Sequence, residues 1–290
     1  MILMEINANK KVILLHITDF HFGDQMALNY STGRVTFDQV AKLIIAELST
    51  YEPTDLIIAV GGDIADKADA YHYQAAKKFF NQLGEAFTDI PVNYIVTPGN
   101  HDINIKAADK FGDFNKFARE LTENHEFVYS PEHTAGMVEM HGWSFITTNT
   151  AFKEDTKSSK IYPAHLEKKL LAAKNPIVLL LHHHLIPMYQ NDNSLVSNAL
   201  DLFKLALKSN VIILLHGHVH SSVRIYIGDG TKQIPVIGCG ALLPRLSDGY
   251  LNQFNIFNLK IDGAFEVIPY AITNEAPYEV GPSIIKQYLD

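Results

Sequence analysis

Cysteine is almost missing from this 290-residue chain, where Cys239 stands alone. No intrachain disulfide can form, and a zinc site built from thiolates is excluded. Long apolar runs are missing as well. The longest, at 177–181 and 211–215, are strand-sized and far short of the ~20 residues a transmembrane helix needs. The first residues carry Glu5 and no basic stretch leading into an apolar core, so no signal peptide is read and a cytoplasmic location is expected. Charge is sparse at 19% against 47% apolar residues, which excludes disorder as the main state. What charge there is leans acidic, 24 Lys plus Arg against 32 Asp plus Glu, a formal −8. That balance repels a phosphate backbone at long range and argues against a dedicated nucleic-acid surface. No Pro/Ser/Gly-rich linker, charge block or internal repeat divides the chain, so one domain over 1–290 is expected.

The apolar runs at 12–15, 56–60, 94–96, 177–181 and 211–215 have the length and β-branched content of buried strands. Helical patterns lie between them. Thr36 can cap a helix carrying Val40, Leu43, Ile44 and Leu48 on one face, and further helices are expected over 70–87, 107–121, 165–173 and 195–207. Residues 127–150 read as short strands with turns. Beyond residue 221 the pattern becomes antiparallel, with strands at 223–227, 234–237, 254–259 and 265–268. Gly228-Asp229-Gly230 and Asp262-Gly263 supply the hairpin turns. The whole predicts an α/β domain with sheets held between helical layers.

Histidine is plentiful, fourteen in all, and unevenly spread. Each of the five apolar runs leads directly into metal-ligand types: His16-Ile17-Thr18-Asp19-Phe20-His21, Gly61-Gly62-Asp63-Ile64-Ala65-Asp66, Gly99-Asn100-His101-Asp102, His182-His183-His184, and His216-Gly217-His218-Val219-His220. Ligands of α/β sheets bind at the carboxyl ends of strands, so the five segments can converge on one place. Singly they are weak. Asp-x-His occurs in solvated loops, Gly-Asp marks turns, and Gly-Asn-His can be a helix cap. Three adjacent imidazoles make an odd core, since each needs a partner, and His-x-His sets two imidazoles on one side of an extended segment. Five such segments in one order have no bland explanation.

That ordered set, Asp-x-His, Gly-Asp, Gly-Asn-His-Asp, His-His and Gly-His-x-His, resembles the calcineurin-like metallophosphoesterases over about residues 12–260. Within them it is most similar to the bacterial phosphodiesterase branch, with Thr147-Thr148-Asn149-Thr150 and Gly238-Cys239-Gly240 as supporting touches. The resemblance implies a four-layer α/β/β/α sandwich with two metal ions at the strand ends. It implies one site of Asp19, His21, Asp63 and His220 and a second of Asp63, Asn100, His182 and His218, with Asp63 and a hydroxide shared between the metals. Mn, Fe, Zn or Co would suit such ligands. By the same resemblance His101 faces the phosphate, and Asp102 is a candidate to orient it. Asn100, His101 and His183 are the expected substrate contacts. The fourth motif departs from the family's usual two histidines and two prolines: it reads His182-His183-His184-Leu185-Ile186-Pro187, so a slip of the ligand from His182 to His183 stays open.

The implied activity is hydrolysis of a small phosphoester, most simply a nucleotide or glycerophospho-type diester. A repair-type DNA nuclease would bring an added domain and a basic surface, a phosphoprotein phosphatase would bring arginines where Lys67 and Pro98 stand, and a degenerate scaffold would have lost ligands. Specificity is expected from the loops 25–34, 188–197 and 241–250.

Overall fold

A computed structural model describes residues 10–23, 36–151, 159–242 and 252–272, together with the backbone of two short strands near the end of the chain. The chain begins with β1 (Val12–Ile17), α1 (Phe37–Thr50), β2 (Asp55–Val60), α2 (Ala70–Glu85), β3 (Val92–Val96) and α3 (Gly112–Thr122). It continues through β4 (Ala135–Met140), β5 (Trp143–Thr148), α4 (Pro163–Ala172), β6 (Ile177–Leu180), α5 (Ala199–Lys208) and β7 (Val211–His216). The last part holds β8 (Val223–Gly228), β9 (Gln233–Gly238), β10 (Asn252–Leu259), β11 (Phe265–Ile272), β12 (Pro277–Glu279) and β13 (Ile284–Lys286). Thr36 opens α1 through a full capping box: its hydroxyl accepts the Gln39 amide, and the Gln39 side chain accepts the Thr36 amide.

Two sheets form. The first runs β12-β11-β10-β1-β2-β3, with β13 also on β11, and the second runs β4-β5-β6-β7-β9-β8. The strands β1, β2 and β3 are mutually parallel, as are β5, β6 and β7. Alternation along β6 shows how the layers stack. Val178 and Leu180 join the cluster between the sheets, while Ile177 and Leu179 join Leu166 and Leu170 of α4 and Leu202 and Ala206 of α5. The first sheet carries α1, α2 and α3, through residues such as Ile44, Phe80 and Phe117. The expected α/β/β/α sandwich is the fold. Among the described residues no helix is long and apolar enough to cross a membrane.

Three expectations need correction. The helix read over 107–121 begins only at Gly112, because Asn104 and Lys110 close a loop through the Asn104 amide and the Asp109 carboxylate takes the Phe111 amide. The helix read over 195–207 begins at Ala199, since the Val196 amide is drawn to the His184 carbonyl. The third is the antiparallel reading beyond residue 221: the hairpins β8-β9 and β10-β11 form as expected and β10 lies antiparallel beside β1, but β9 also pairs parallel with β7.

Candidate metal centre

Every motif follows the carboxyl end of a strand: Asp19 and His21 after β1, Asp63 after β2, Asn100 and His101 after β3, His182 after β6, and His218 and His220 after β7. The loops are laced together by their backbones. The Asp19 amide donates to Gly62, the His21 amide to Asp63, and the Gly217 amide to His182. Such tight turning is costly for ordinary residues. Asp19, His21, Asp63, His218 and His220 all hold left-handed φ angles, between 47° and 72°. Strain of this sort persists only where surrounding structure over-determines it, and it concentrates at functional sites. Gly217 must be glycine for a different reason, because a Cβ there would run into the Thr18 hydroxyl and the Asp19 carboxylate.

The side chains meet in overlapping groups. His21 Nε2 lies 3.2 Å from His220 Nε2 and 3.8 Å from Asp63 Oδ2, and His220 Nε2 lies 3.3 Å from Asp19 Oδ1. On the other side His182 Nε2 lies 3.3 Å from Asp63 Oδ2 and 3.2 Å from His218 Nδ1. Ligand atoms that could share an ion are grouped as Asp19 with His21 and His220, Asp19 with Asp63 and His182, His182 with His183 and His218, and His21 with Asp63 and His101. Ring nitrogens face one another in pairs, and the buried Asn100 Oδ1 has no hydrogen-bond partner. Imidazole nitrogens and carboxylate oxygens brought this close suit divalent transition ions, and the unpartnered Asn100 Oδ1 beside them is a further candidate ligand.

The carboxylates are oriented from neighbouring motifs. Asp19 Oδ2 accepts from the Thr18 hydroxyl at 2.8 Å and the His218 amide at 2.9 Å, and Asp63 Oδ1 accepts from the His101 amide at 2.8 Å. Burial works to raise both acids, but the surrounding imidazoles prevail and hold both below the usual carboxylate range: chiefly the His220 hydrogen bond and His182 charge for Asp19, and His182 and His101 for Asp63. Burial pushes His21 down to about 4 and His218 to about 3. It also opposes charge on His182, yet Asp63 outweighs it and raises this imidazole to about 9. His101 and His220 are raised against burial too, by Asp63 and the Asp66 carbonyl for the first and by Asp19 for the second.

The remaining expected residues sort by their contacts. His101 Nδ1 bonds the Asp66 carbonyl at 2.9 Å, and its ring stands edge-on to His21. Asp102 does not orient it. Both its oxygens are taken by the amides of Ile64, Ala65 and Gly99 and by the Tyr73 hydroxyl, so it ties the second motif to the third. His182 and His183 differ in setting: His182 Nδ1 bonds the Gly61 carbonyl, whereas His183 Nδ1 meets the Thr150 hydroxyl at 2.7 Å. His16 and His216 are buried behind Asp19, and burial keeps them neutral. Sequence reasoning missed Asp192, whose carboxylate bonds His184 Nε2 at 2.7 Å beneath the His218 ring. No local pattern marks it. The loops 25–34 and, apart from Ala241 and Leu242, 241–250 lie outside the described residues.

Two buried carboxylates set among imidazoles at the strand ends of an α/β/β/α sandwich form a candidate metal centre. The calcineurin-like phosphoesterase family model matches residues 13–222, so the chain belongs to that family. A Psychrobacter sp. (strain PRwf-1) protein named "probable cyclic nucleotide phosphodiesterase" is 26% identical over 222 residues, 73% of this chain and 61% of the relative. The match thus spans about three-fifths of that relative's length. Among solved structures, a dimetal phosphatase from Danio rerio is similar at a TM-score of 0.56 and 10% identity, covering 92% of this chain and 98% of that one. A 5'-nucleotidase precursor from Thermus thermophilus is similar at 0.54 and 15% identity, covering 93% and 56%. At these identities the two structures speak for the fold alone.

Proposed function

We propose that the chain is a dinuclear metal-dependent phosphodiesterase acting on a small diester of the nucleotide or glycerophospho type. The observation that carries this reading is the position of Asp63, whose Oδ2 lies 3.8 Å from His21 Nε2 and 3.3 Å from His182 Nε2 and so joins two ligand groups. One metal would be held by Asp19, His21, Asp63 and His220, the other by Asp63, Asn100, His182 and His218. Only Asp19 and Asp63 bring negative charge, so two dications would leave roughly +2 to attract a phosphate. Metals there would supply Lewis acidity and an activated water for attack at phosphorus.

The chain's own residues do the rest. Thr18 and the His218 amide fix Asp19, and the His101 amide fixes Asp63, so neither carboxylate must reorganise as charge develops. His101 is anchored through Nδ1 to the Asp66 carbonyl, which leaves Nε2 to meet a substrate atom. From there it gives a proton to the departing oxygen or stabilises charge on the phosphoryl group. His183, steadied by Thr150, would contact the substrate beside His218. The name of the Psychrobacter relative supports a diester, and the acidic balance of the chain supports a small substrate over a polynucleotide.

The test is a screen of chelator-stripped protein reloaded in turn with Mn2+, Fe2+, Zn2+ or Co2+. Substrates are cyclic nucleotides, glycerophosphodiesters, nucleoside polyphosphates and single-stranded DNA, with metal content measured alongside. Diester hydrolysis with two metals per chain is expected. Cleavage confined to DNA or to monoesters, or full activity at well under two metals, would overturn the reading.

A further inference from the structure

Beside the metal centre, the segment from Leu185 to Val196 crosses the surface as a strap. Leu185 and Val196 are buried at its two ends, and the Val196 amide closes it on the His184 carbonyl. Its middle is inverted in character. Asp192, an acid on an exposed loop, is only 6% accessible, while Met188 and Tyr189 stand 42% and 61% exposed. Asp192 accepts from the amides of Met188 and Ser194, from the Ser194 hydroxyl and from His184. The chain turns at Asn191 with φ 62°. A carboxylate buried to hold two exposed apolar side chains in place is a built feature, since a free loop would turn Asp192 outward and fold Met188 and Tyr189 in.

Those side chains face a cavity. Met188, Tyr189 and Ser194 on the strap enclose about 360 Å³ with His218, Val219, His220 and Ser221. The two histidines are proposed metal ligands, so the cavity opens on the place where phosphorus would sit. Its size falls in the lower part of the range for small-ligand sites. Its lining is mixed: a flat aromatic ring and a thioether for the face of a planar group, two serine hydroxyls for a polar edge. His101 lines a separate cavity with Asn100, Asp66 and Lys67. Because His101 serves the departing oxygen, the expelled arm of a diester lies on that side and the retained arm lies under the strap.

We infer that the Met188–Tyr189 strap holds the retained arm of the substrate, that this arm is a flat heterocycle of nucleobase type, and that Tyr189 is its specificity-determining residue. The inference rests on the phosphodiesterase reading and deepens it by assigning the retained group. Stacking of a base on an aromatic side chain changes affinity by about fivefold to a hundredfold. Tyr189 is mostly exposed, so its truncation leaves the core intact.

The test compares two diesters that expel the same nitrophenolate, thymidine 5'-(p-nitrophenyl phosphate) and methyl p-nitrophenyl phosphate, on metal-loaded protein. The ratio of their kcat/KM values reads the retained arm alone. Tyr189→Ala is expected to lower that ratio about tenfold, chiefly through KM, and Tyr189→Trp to restore it. Independently, wild type is expected to bind thymidine 5'-monophosphate about tenfold more tightly than inorganic phosphate, and Tyr189→Ala to lose that preference. A ratio within twofold of wild type with the preference kept overturns the inference. If wild type hydrolyses neither diester, the phosphodiesterase reading fails by itself. The binding preference and its loss in Tyr189→Ala then still decide the strap.

Discussion

Stripping the metals and raising the pH probes the His182–Asp63 pair at the centre of the site. The two side chains are 0% and 3% accessible, with Nε2 and Oδ2 3.3 Å apart. Asp63 raises His182 from 6.5 to about 9 against the opposing effect of burial. A folded pKa above the unfolded one stabilises the charged form, so the contribution is full below about pH 6.5 and is lost as pH rises through about 9. The rise from 6.5 to about 9 corresponds to roughly 3 kcal/mol of net stabilisation of the charged imidazole, after burial has opposed Asp63, Asp19 and the Gly61 carbonyl. His21 and His218, pushed down to about 4 and 3 by burial, act in the opposite window: their contribution is full above pH 6.5 and is lost on acidification. The metal-free protein is therefore expected to be most stable near pH 6.5 and to lose about 3 kcal/mol by pH 9.5, read as urea midpoints between pH 5 and 9.5. A metal ligand must be neutral, so reloading with Zn2+ or Mn2+ at pH 7.5 should release about one proton from His182, measured with an indicator dye in dilute buffer. His182→Gln should remove that proton and flatten the alkaline slope, leaving only the part that belongs to His101 and His220, which are raised as well. A wild-type midpoint that is flat or rising from pH 6.5 to 9, with no proton released on loading, would refute the pairing and the ligand role together.

Replacing Asp63 with Asn should deplete both metals at once, whereas His220→Ala should weaken chiefly the site with Asp19 and His21; elemental analysis showing equal losses from the two changes would undo the shared role of Asp63. His101→Ala should keep both metals while turnover falls about 10²–10⁴-fold, more for an alkoxide leaving group than for nitrophenolate, which departs without a proton. An equal fall for both leaving groups would remove the acid role and leave charge stabilisation. Asp102→Ala strips the buried Ile64, Ala65 and Gly99 amides of their acceptor and should cost about 3 kcal/mol or more in denaturant unfolding, with the leaving-group dependence of the residual activity unchanged.

Much of the centre was legible because its chemistry is written where local signals are strongest. An apolar run such as Leu56 to Val60 announces a strand, and the polar residues that follow it, Gly62 and Asp63, must then lie at that strand's carboxyl end. Thr36 announced a helix start by the same local logic, and the structure adds Gln39 to complete a capping box. Where several short-range preferences compete, the reading strayed. Residues 107–111 carry a helical pattern, but the Asp109 carboxylate gives the Phe111 amide a nearer partner than a helix would.

By itself, then, the sequence determined the strands, the residues that follow them and the class of chemistry those residues serve, since periodicity and ligand type are properties of neighbours in the chain. What only the tertiary structure decided was which atoms face which. Asp102 sits next to His101 in sequence, yet its carboxylate turns back onto the Ile64 and Ala65 amides of the second motif while the Asp66 carbonyl holds the imidazole. His182 and His183 are adjacent and chemically identical, and only the arrival of Asp63 and Thr150 from distant strands separates their surroundings. Asp192 carries no motif and becomes legible only once its loop is folded, because burying a carboxylate takes four donors that no short stretch of sequence displays.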